Sequence, residues 1–198
     1  MIAYIKGKLN FLCPTYVVLE TGGIGYHIHI SLHTYSELVK QPPHADQPVK
    51  LFTFFHVKED AHTLYGFSEE GERRLFSHLI SVSGIGPNTG RMILSSVSPA
   101  ELEEAIIEGN VNLIKSVKGI GPKSAQRIIL ELQDKLKKEG RSSLIQAPAS
   151  ATAREEALSA LVMLGFSRIA GEKALTAVLK DAVDAPVELL IKKALKLL

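Results

Sequence analysis

A thirteen-residue segment occurs twice in this sequence, and its glycines and proline constrain the fold more than any other feature. Residues 81–93 (SVSGIGPNTGRMI) recur 35 positions later as residues 116–128 (SVKGIGPKSAQRI), with seven of the thirteen positions identical. Both copies are centred on Gly-Ile-Gly-Pro, at residues 84–87 and 119–122. A repeat this short and this rich in glycine indicates that one backbone turn is used twice.

Each Gly-Ile-Gly-Pro stands between two stretches with helical apolar spacing, which predicts a tight turn between two helices. Glycine adopts backbone angles closed to other residues and lets the chain approach a ligand with no Cβ in the way. Proline is well suited to the first turn of the helix that follows. Because the N–H groups and the dipole at a helix N-terminus favour anions, both turns are candidate phosphate-binding sites.

The distribution of charge supports this interpretation, although the net charge of +2 gives no sign of a nucleic-acid ligand. Residues 75–100 and 109–130 contain no Asp or Glu, and each of these windows has a Gly-Ile-Gly-Pro near its middle. The second window also carries four basic residues, Lys115, Lys118, Lys123 and Arg127. Both windows therefore suit a polyanionic ligand.

Other glycine-rich motifs fit the pattern less well. A dinucleotide-binding fingerprint would require a third glycine at Thr89, and it would follow a strand instead of a helix. A nucleotide-binding P-loop would require Gly-Lys-Ser/Thr, which the sequence lacks. Glycines that only allow close packing of helices remain an alternative for a single copy. Two copies in acid-free windows favour phosphate binding.

Residues 1–67 are predicted to form strands. Residues 24–30 alternate strictly, which places Ile24, Tyr26, Ile28 and Ile30 on one face. Residues 17–19 precede them through Thr-Gly-Gly, as in a β-hairpin, and residues 49–57 and 63–67 are further strands joined by a polar turn at residues 58–61. At least five short strands predict a small closed barrel of the oligonucleotide-binding (OB) type, with an SH3-like barrel as the alternative.

The rest of the chain is predicted to be helical, so the fold class is α+β with several domains. Leu75, Phe76, Leu79 and Ile80 form one apolar stripe, Ser98 and Glu101 fit a capping box, and residues 127–136 are strongly helical. Residues 140–152 lack a period and predict a linker. Three amphipathic helices are expected beyond it, at residues 153–164, 168–180 and 186–198. The predicted domains are residues 1–67, 68–139 and 153–198.

No feature of the sequence indicates an active site or a metal site. Six of the seven histidines lie between His27 and His62, but no cysteine or paired carboxylate supplies the further ligands that a metal needs. The outward face of a barrel strand is the expected place for His27 and His29. A single cysteine, Cys13, and the lack of an apolar run of about 18 residues predict a cytoplasmic protein without a membrane span. No cofactor is expected.

The two Gly-Ile-Gly-Pro turns with their flanking helices resemble tandem helix-hairpin-helix motifs. Together with the predicted barrel and residues 56–67 (HVKEDAHTLYGF), they make the chain similar, end to end, to the RuvA family, which binds Holliday junctions in bacterial branch migration. The resemblance implies a homotetramer that holds a four-way DNA junction by its backbone, in recombination, repair and the SOS response. The implied DNA contacts are Gly84, Ile85, Gly86, Pro87, Lys118, Gly119, Ile120, Gly121, Pro122, Lys123 and Arg127.

The resemblance also gives a role to the acidic turn at Glu59 and Asp60, which taken alone is typical of a solvated β-turn. These residues match the family's acidic pin, a group of carboxylates at the tetramer centre that would repel phosphates and guide strands apart. At one position the chain departs from the family. Asn88 stands where a lysine is often found, so the first turn depends on its N–H groups with less charge.

The expected partners follow from chemistry that the chain lacks. Branch migration requires energy, and with no phosphate-binding loop here the ATPase is expected to be the hexameric RuvB motor, with the RuvC resolvase as a further partner. The C-terminal three-helix, UBA-like domain is the candidate motor-binding module. Its candidate contacts are Leu161, Leu164, Phe166, Leu190 and Ile191. An enzyme that uses the turns as a clamp is the rival hypothesis, but the residues after the second turn supply neither clustered acids nor a Lys/Asp pair.

Overall fold

The structure, a computed structural model, describes residues 2–40, 47–144, 149–181 and 185–198. Of residues 139–144, 149–152, 180 and 181 only the backbone is described. The chain divides into two units, Met1–Gly140 and Arg141–Leu198. The first unit contains the strands and both glycine turns, and the second contains the C-terminal helices.

Five strands in the first unit close into a barrel. They are β1 (Tyr4–Leu12), β2 (Tyr16–Thr21), β3 (Ile24–Ile30), β4 (Val49–Val57) and β5 (His62–Phe67). The order around the barrel is β1-β2-β3-β5-β4; β3 and β5 are parallel and the other neighbours antiparallel. The predicted small barrel of OB type is confirmed.

The hairpin of β2 and β3 follows the alternation of the sequence over most of its length. Gly22 and Gly23 form its turn with φ of 59° and 78°, angles that favour glycine. Ile28 and Ile30 are buried in the barrel. Ile24, the first residue of β3, is predicted on the same face as these two residues, but it is 57% exposed.

A helix, α1 (Leu32–Lys40), follows the third strand, so the prediction that residues 1–67 are all strand is wrong at this segment. Ser31 begins the helix, since its Oγ accepts a hydrogen bond of 3.0 Å from the Thr34 amide. The apolar residues Leu32, Tyr35, Leu38 and Val39 have helical spacing, which is the signal that the strand prediction overlooks.

Five further helices follow β5 in the described residues up to Leu144. They are α2 (Glu70–Ser81), α3 (Pro87–Ser96), α4 (Pro99–Glu108), α5 (Val111–Ser116) and α6 (Pro122–Leu144). Leu75, Phe76 and Leu79 are buried on the predicted stripe of α2. The capping box of α4 is confirmed, because Ser98 Oγ accepts from the Glu101 amide and the Glu101 carboxylate accepts from the Ser98 amide.

The barrel and the helices are in direct contact, although each has its own buried cluster. Phe76 of α2 packs against Phe67 and Tyr65 of β5, with ring centroids 4.9 and 5.2 Å apart. These two strand residues belong to the same buried cluster as the apolar faces of the helices. The domain boundary predicted at Phe67 stays a prediction, and the end of β5 packs on α2 at this point.

A buried carboxylate ties α1 to α2. Glu72 is fully buried; it accepts a hydrogen bond of 2.6 Å from Thr34 Oγ1 and another from Ser31 Oγ. Burial raises the pKa of the Glu72 carboxyl above its usual value, although the hydrogen bonds from Ser31 and Thr34 act to lower it. Thr34 Oγ1 in turn accepts from the Ser68 amide at 3.0 Å, so the contact also fixes the end of the barrel.

The second unit consists of α7 (Ala149–Met163), α8 (Arg168–Asp181) and α9 (Val187–Ala194). Three helices are predicted here, but α9 ends at Ala194 instead of residue 198. Helix also extends into the predicted linker, since α6 ends at Leu144 and α7 begins at Ala149. The intervening residues 145–148 lie outside the described part of the chain. The α+β fold with a C-terminal helical domain is as predicted.

Candidate nucleic-acid interface

The two Gly-Ile-Gly-Pro segments form turns of the same geometry. The first hairpin, residues 82–87, joins α2 to α3, and the second hairpin, residues 117–122, joins α5 to α6. Gly84 and Gly119 have φ of 89° and 88°. The Ile85 amide donates to the Val82 carbonyl at 3.0 Å, and the equivalent bond in the second hairpin measures 3.1 Å. The repeat in the sequence is thus a repeat in the backbone.

Apolar side chains anchor each hairpin from the inside. Ile85 and Ile120 are only 5% and 6% exposed, and both belong to the core of the helices. Burying a side chain of this size contributes roughly 1.5–3 kcal/mol. The glycines on either side of each isoleucine are exposed. The central isoleucine is an apolar plug for the turn, and the glycine backbone on either side of it faces outward.

Each hairpin leads directly into the N-terminus of a helix. Gly86 is the N-cap of α3 with φ −87° and ψ 170°, no side chain caps this end, and Pro87 occupies the first turn. The first intrahelical bond runs from the Gly90 amide to the Gly86 carbonyl at 2.9 Å. The amides of Asn88 and Thr89 precede it and have no acceptor within the helix. These N–H groups are donors of the kind that phosphate oxygens accept.

The two hairpins differ in charge. Lys118 and Lys123 are exposed on either side of the second hairpin, whereas the equivalent positions of the first hold Ser83 and Asn88, also exposed. Arg91, the charged residue of the first acid-free window, turns toward the barrel. Its Nη1 donates to the Thr15 carbonyl at 3.0 Å and lies 3.4 Å from Nδ1 of His29. The stronger electrostatic attraction for a phosphate is therefore at the second hairpin.

Arg127 has a contact that its sequence position does not reveal. It follows the second hairpin and is predicted to add charge there. Its Nη1 instead donates a hydrogen bond of 3.0 Å to the Ser83 carbonyl of the first hairpin. The residue therefore links the two hairpins.

Glu59 and Asp60 lie at the exposed tip between β4 and β5. The turn is closed by a hydrogen bond of 2.8 Å from the Lys58 amide to the Ala61 carbonyl. This geometry suits a solvated β-turn as well as an acidic pin, so the role of the two carboxylates stays a prediction.

The strand histidines lie on the outer face of the barrel, as expected. His27 stacks on Tyr16 with ring centroids 4.3 Å apart, and His29 lies 4.9 Å from His27. Partial burial, and then the charges of Arg91 and His27, lower the pKa of His29. No group of three or more potential ligands that could hold a metal ion occurs among the described residues; His44 lies outside them.

The candidate partner-binding residues separate into two groups. Leu161 and Leu190 lie in the core of the second unit, 0% and 1% exposed, so they cannot offer a surface to a partner. Phe166 and Ile191 are partly buried against that core, and Leu164 is 59% exposed. Sequence reasoning misses further exposed apolar residues of this unit. Met163 and Ile169 are 85% and 81% exposed, and they flank the turn between α7 and α8.

Within the described residues, no helix combines the length and the apolar character that a membrane span requires.

Comparison with known proteins identifies related chains over the full length of the sequence. Three family models match: RuvA N terminal domain over residues 1–66, SAM-like helix-hairpin-helix tandem over residues 76–134, and RuvA C-terminal domain over residues 152–198. A protein of Cytophaga hutchinsonii is 50% identical over 203 residues, with 100% of both chains covered. Proteins of Christiangramia forsetii and Amoebophilus asiaticus are 49% and 44% identical, with at least 99% of each chain covered. All three relatives carry the name Holliday junction branch migration complex subunit RuvA.

Proposed function

Because this chain belongs to the RuvA family of Holliday junction branch migration complex subunits, we propose that it binds four-way junction DNA through the sugar–phosphate backbone. It acts as a homotetramer in the cytoplasm, holds the junction open, and recruits the hexameric RuvB ATPase for branch migration in recombination and repair. RuvC resolvase is a further partner.

One observation carries the proposal. Two hairpins of the same backbone geometry, each anchored by a buried isoleucine, present exposed glycines at a helix N-terminus. The exposed glycines have no side chain that could read a base edge, whereas backbone N–H groups and lysines are suited to phosphates. Binding of this kind positions DNA without reading its sequence. A junction is then preferred over a duplex because its four arms engage the hairpins of four subunits together.

The acidic tip of the barrel contributes selectivity in this proposal. Glu59 and Asp60 are exposed, and four copies would meet near the crossover of the junction. Repulsion of phosphates by these carboxylates is weak in water and stronger where solvent is partly excluded. The pair therefore opposes the passage of a continuous duplex more than it opposes four arms that diverge.

The second unit is the motor-binding module in this proposal. Met163, Leu164 and Ile169 form an exposed apolar surface around the turn between α7 and α8. A unit this small has few apolar residues to spare, so three such exposed side chains are suited to an apolar segment of a partner. In this proposal the motor contacts this surface instead of the buried Leu161 and Leu190. The chain itself is non-catalytic, and the ATPase resides in the partner.

The experiment that tests the proposal compares a four-way junction with a linear duplex of equal length, each in two unrelated sequences. The junction should bind at least about tenfold more tightly, and the two sequences should bind equally. The logarithm of the association constant should fall with the logarithm of salt concentration, with a slope of about −0.9 per neutralised phosphate. Equal affinity for junction and duplex at moderate salt would exclude the proposal.

Two substitutions make this comparison specific to the interface. Lys123→Ala should weaken binding to all sequences alike and make the salt slope shallower by about one for each phosphate that the lysine neutralises. Lys173→Ala is the matched control, because Lys173 is an exposed lysine on α8. It should leave both affinity and slope unchanged.

A further inference from the structure

Each hairpin is contacted by one side chain from the helix that follows the other hairpin. Arg127 lies eight residues after Gly119, and its Nη1 donates to the Ser83 carbonyl of the first hairpin at 3.0 Å. Met92 lies eight residues after Gly84, and its Cε would be 3.3 Å from a Cβ added at Gly119. With the repeats offset by 35 residues, Arg127 and Met92 are equivalent positions. The contact is therefore reciprocal, with one half polar and the other apolar.

Both contacts lie close to the glycine at the apex of the hairpin they reach. A Cβ added at Gly84 would lie 3.9 Å from Arg127 Nη1, so the guanidinium sits directly beside the first hairpin. The same guanidinium has five N–H donors, and one of them binds the Ser83 carbonyl. A phosphate at the first hairpin would lie within reach of this charge.

The first hairpin is the one that needs such a charge. Where the second hairpin has Lys118 and Lys123, the first has Ser83 and Asn88. All four residues are exposed, so the difference concerns the surface that meets the ligand. Met92 gives the second hairpin only a packing contact, which suffices because that hairpin has its own lysines.

We propose that Arg127 is a positioning residue of the first hairpin, although it follows the second in the sequence. It holds the Ser83 carbonyl, and with it the path of the backbone, and it supplies the cation that this hairpin lacks. The part of this inference that concerns DNA rests on the proposed function. The contact itself is a property of the free protein.

A double-mutant cycle with the full chain and a four-way junction tests the assignment. Arg127→Met places at this position the residue of the other repeat, and it should weaken junction binding about tenfold. Asn88→Lys gives the first hairpin a cation of its own. On that background the loss from Arg127→Met should shrink to about threefold or less, because the two residues serve one hairpin.

Lys123→Ala is the matched control, since it removes a cation from the second hairpin. Its loss of affinity should be the same with and without Asn88→Lys, because the two positions belong to different hairpins. If Arg127→Met loses no affinity, or loses as much on the Asn88→Lys background as without it, the assignment is wrong.

Hydrogen exchange of the free protein tests the contact without DNA. Arg127→Met should speed amide exchange in residues 81–90 and leave residues 116–125 unchanged, and Arg127→Lys should have a smaller effect of the same kind. Faster exchange in both hairpins or in neither would overturn the positioning role. A failure of the wild-type chain to prefer a junction over a duplex would instead count against the proposed function, and the exchange result would still decide the contact.

Discussion

The glycine at the apex of the first hairpin offers a direct test of the proposed grip on DNA. Gly84 has φ of 89°, an angle that side chains rarely adopt, and the nearest heavy atom to an added Cβ would be 3.9 Å away. Gly84→Ala thus introduces strain without a clash. A left-handed conformation costs an L-residue about 1–2 kcal/mol. At about 2–4 °C per kcal/mol, the unfolding temperature should fall by about 2–8 °C, which leaves the chain folded.

The loss of DNA affinity should exceed what this strain explains. The new methyl group stands where the exposed backbone is proposed to meet a phosphate, and relaxation of φ turns the neighbouring N–H groups away. Loss of one hydrogen bond to a charged group costs about 1.5–3 kcal/mol, so junction affinity should fall tenfold or more. Fluorescence anisotropy with a labelled four-way junction measures this loss, and thermal unfolding monitors the fold.

Gly23→Ala is the matched control for strain. Gly23 has φ of 78° in the turn between β2 and β3, and no heavy atom lies within 4 Å of an added Cβ. Its variant should lose a similar amount of thermal stability and keep junction affinity within about twofold. If the variants at Gly84 and Gly23 lose affinity equally, or if neither loses any, the first hairpin does not approach DNA through its glycine backbone.

Three further predictions concern other parts of the chain. Replacing Glu59 by Gln and Asp60 by Asn should raise duplex affinity and reduce junction preference in competition binding; loss of all junction binding would show that the pair is structural. A chain that ends at Leu144 should bind junctions but no longer stimulate ATP-driven migration by the motor, and migration at the full rate would refute the motor-binding role. Glu72→Gln should flatten the dependence of stability on pH in urea unfolding. Because burial raises the folded-state pKa of Glu72, its stabilising effect is complete below the unfolded pKa of about 4.3 and is lost as pH rises through the folded pKa; equal pH slopes for wild type and variant would contradict this.

Features whose causes are local are predictable from the sequence. Each Gly-Ile-Gly-Pro specifies its own turn through glycine at positive φ, an apolar plug and proline at the next helix. The capping box of Ser98 and Glu101 depends on two residues three positions apart, and it has the predicted geometry. Alternation likewise identifies β3, since a period of two is a property of the strand itself.

Features that depend on tertiary packing are not predictable in the same way. The short helix α1 lies between strands, which favours a strand prediction, and its buried partner Glu72 comes about forty residues later. The packing of Phe67 on α2 is likewise a tertiary contact, and no local pattern near the expected boundary at Phe67 indicates it. Helical spacing alone also does not distinguish exposed from buried apolar residues in the second unit. Leu161 and Leu190 therefore qualify as candidate contacts by their spacing, although they build the core of that unit.

The bond between Arg127 and Ser83 lies at the limit of what a sequence reveals. The charge of Arg127 and its place after the second hairpin are visible in the repeat. Its contact depends on how the two copies face each other in space, which no local pattern encodes. The sequence therefore marks the residue as a candidate for the interface, but it does not indicate which hairpin the side chain touches.

Substitution of single phosphates tests most directly the claim that two hairpins hold DNA by its backbone. Neutral methylphosphonates can replace the phosphates of one junction arm one at a time, and the affinity of each junction is then measured. Binding by two hairpins predicts two short clusters of sensitive phosphates on each arm, at positions that stay the same when the base sequence of the arm is changed. An affinity that stays the same whichever phosphate is neutralised, but changes with the base sequence, would contradict this claim.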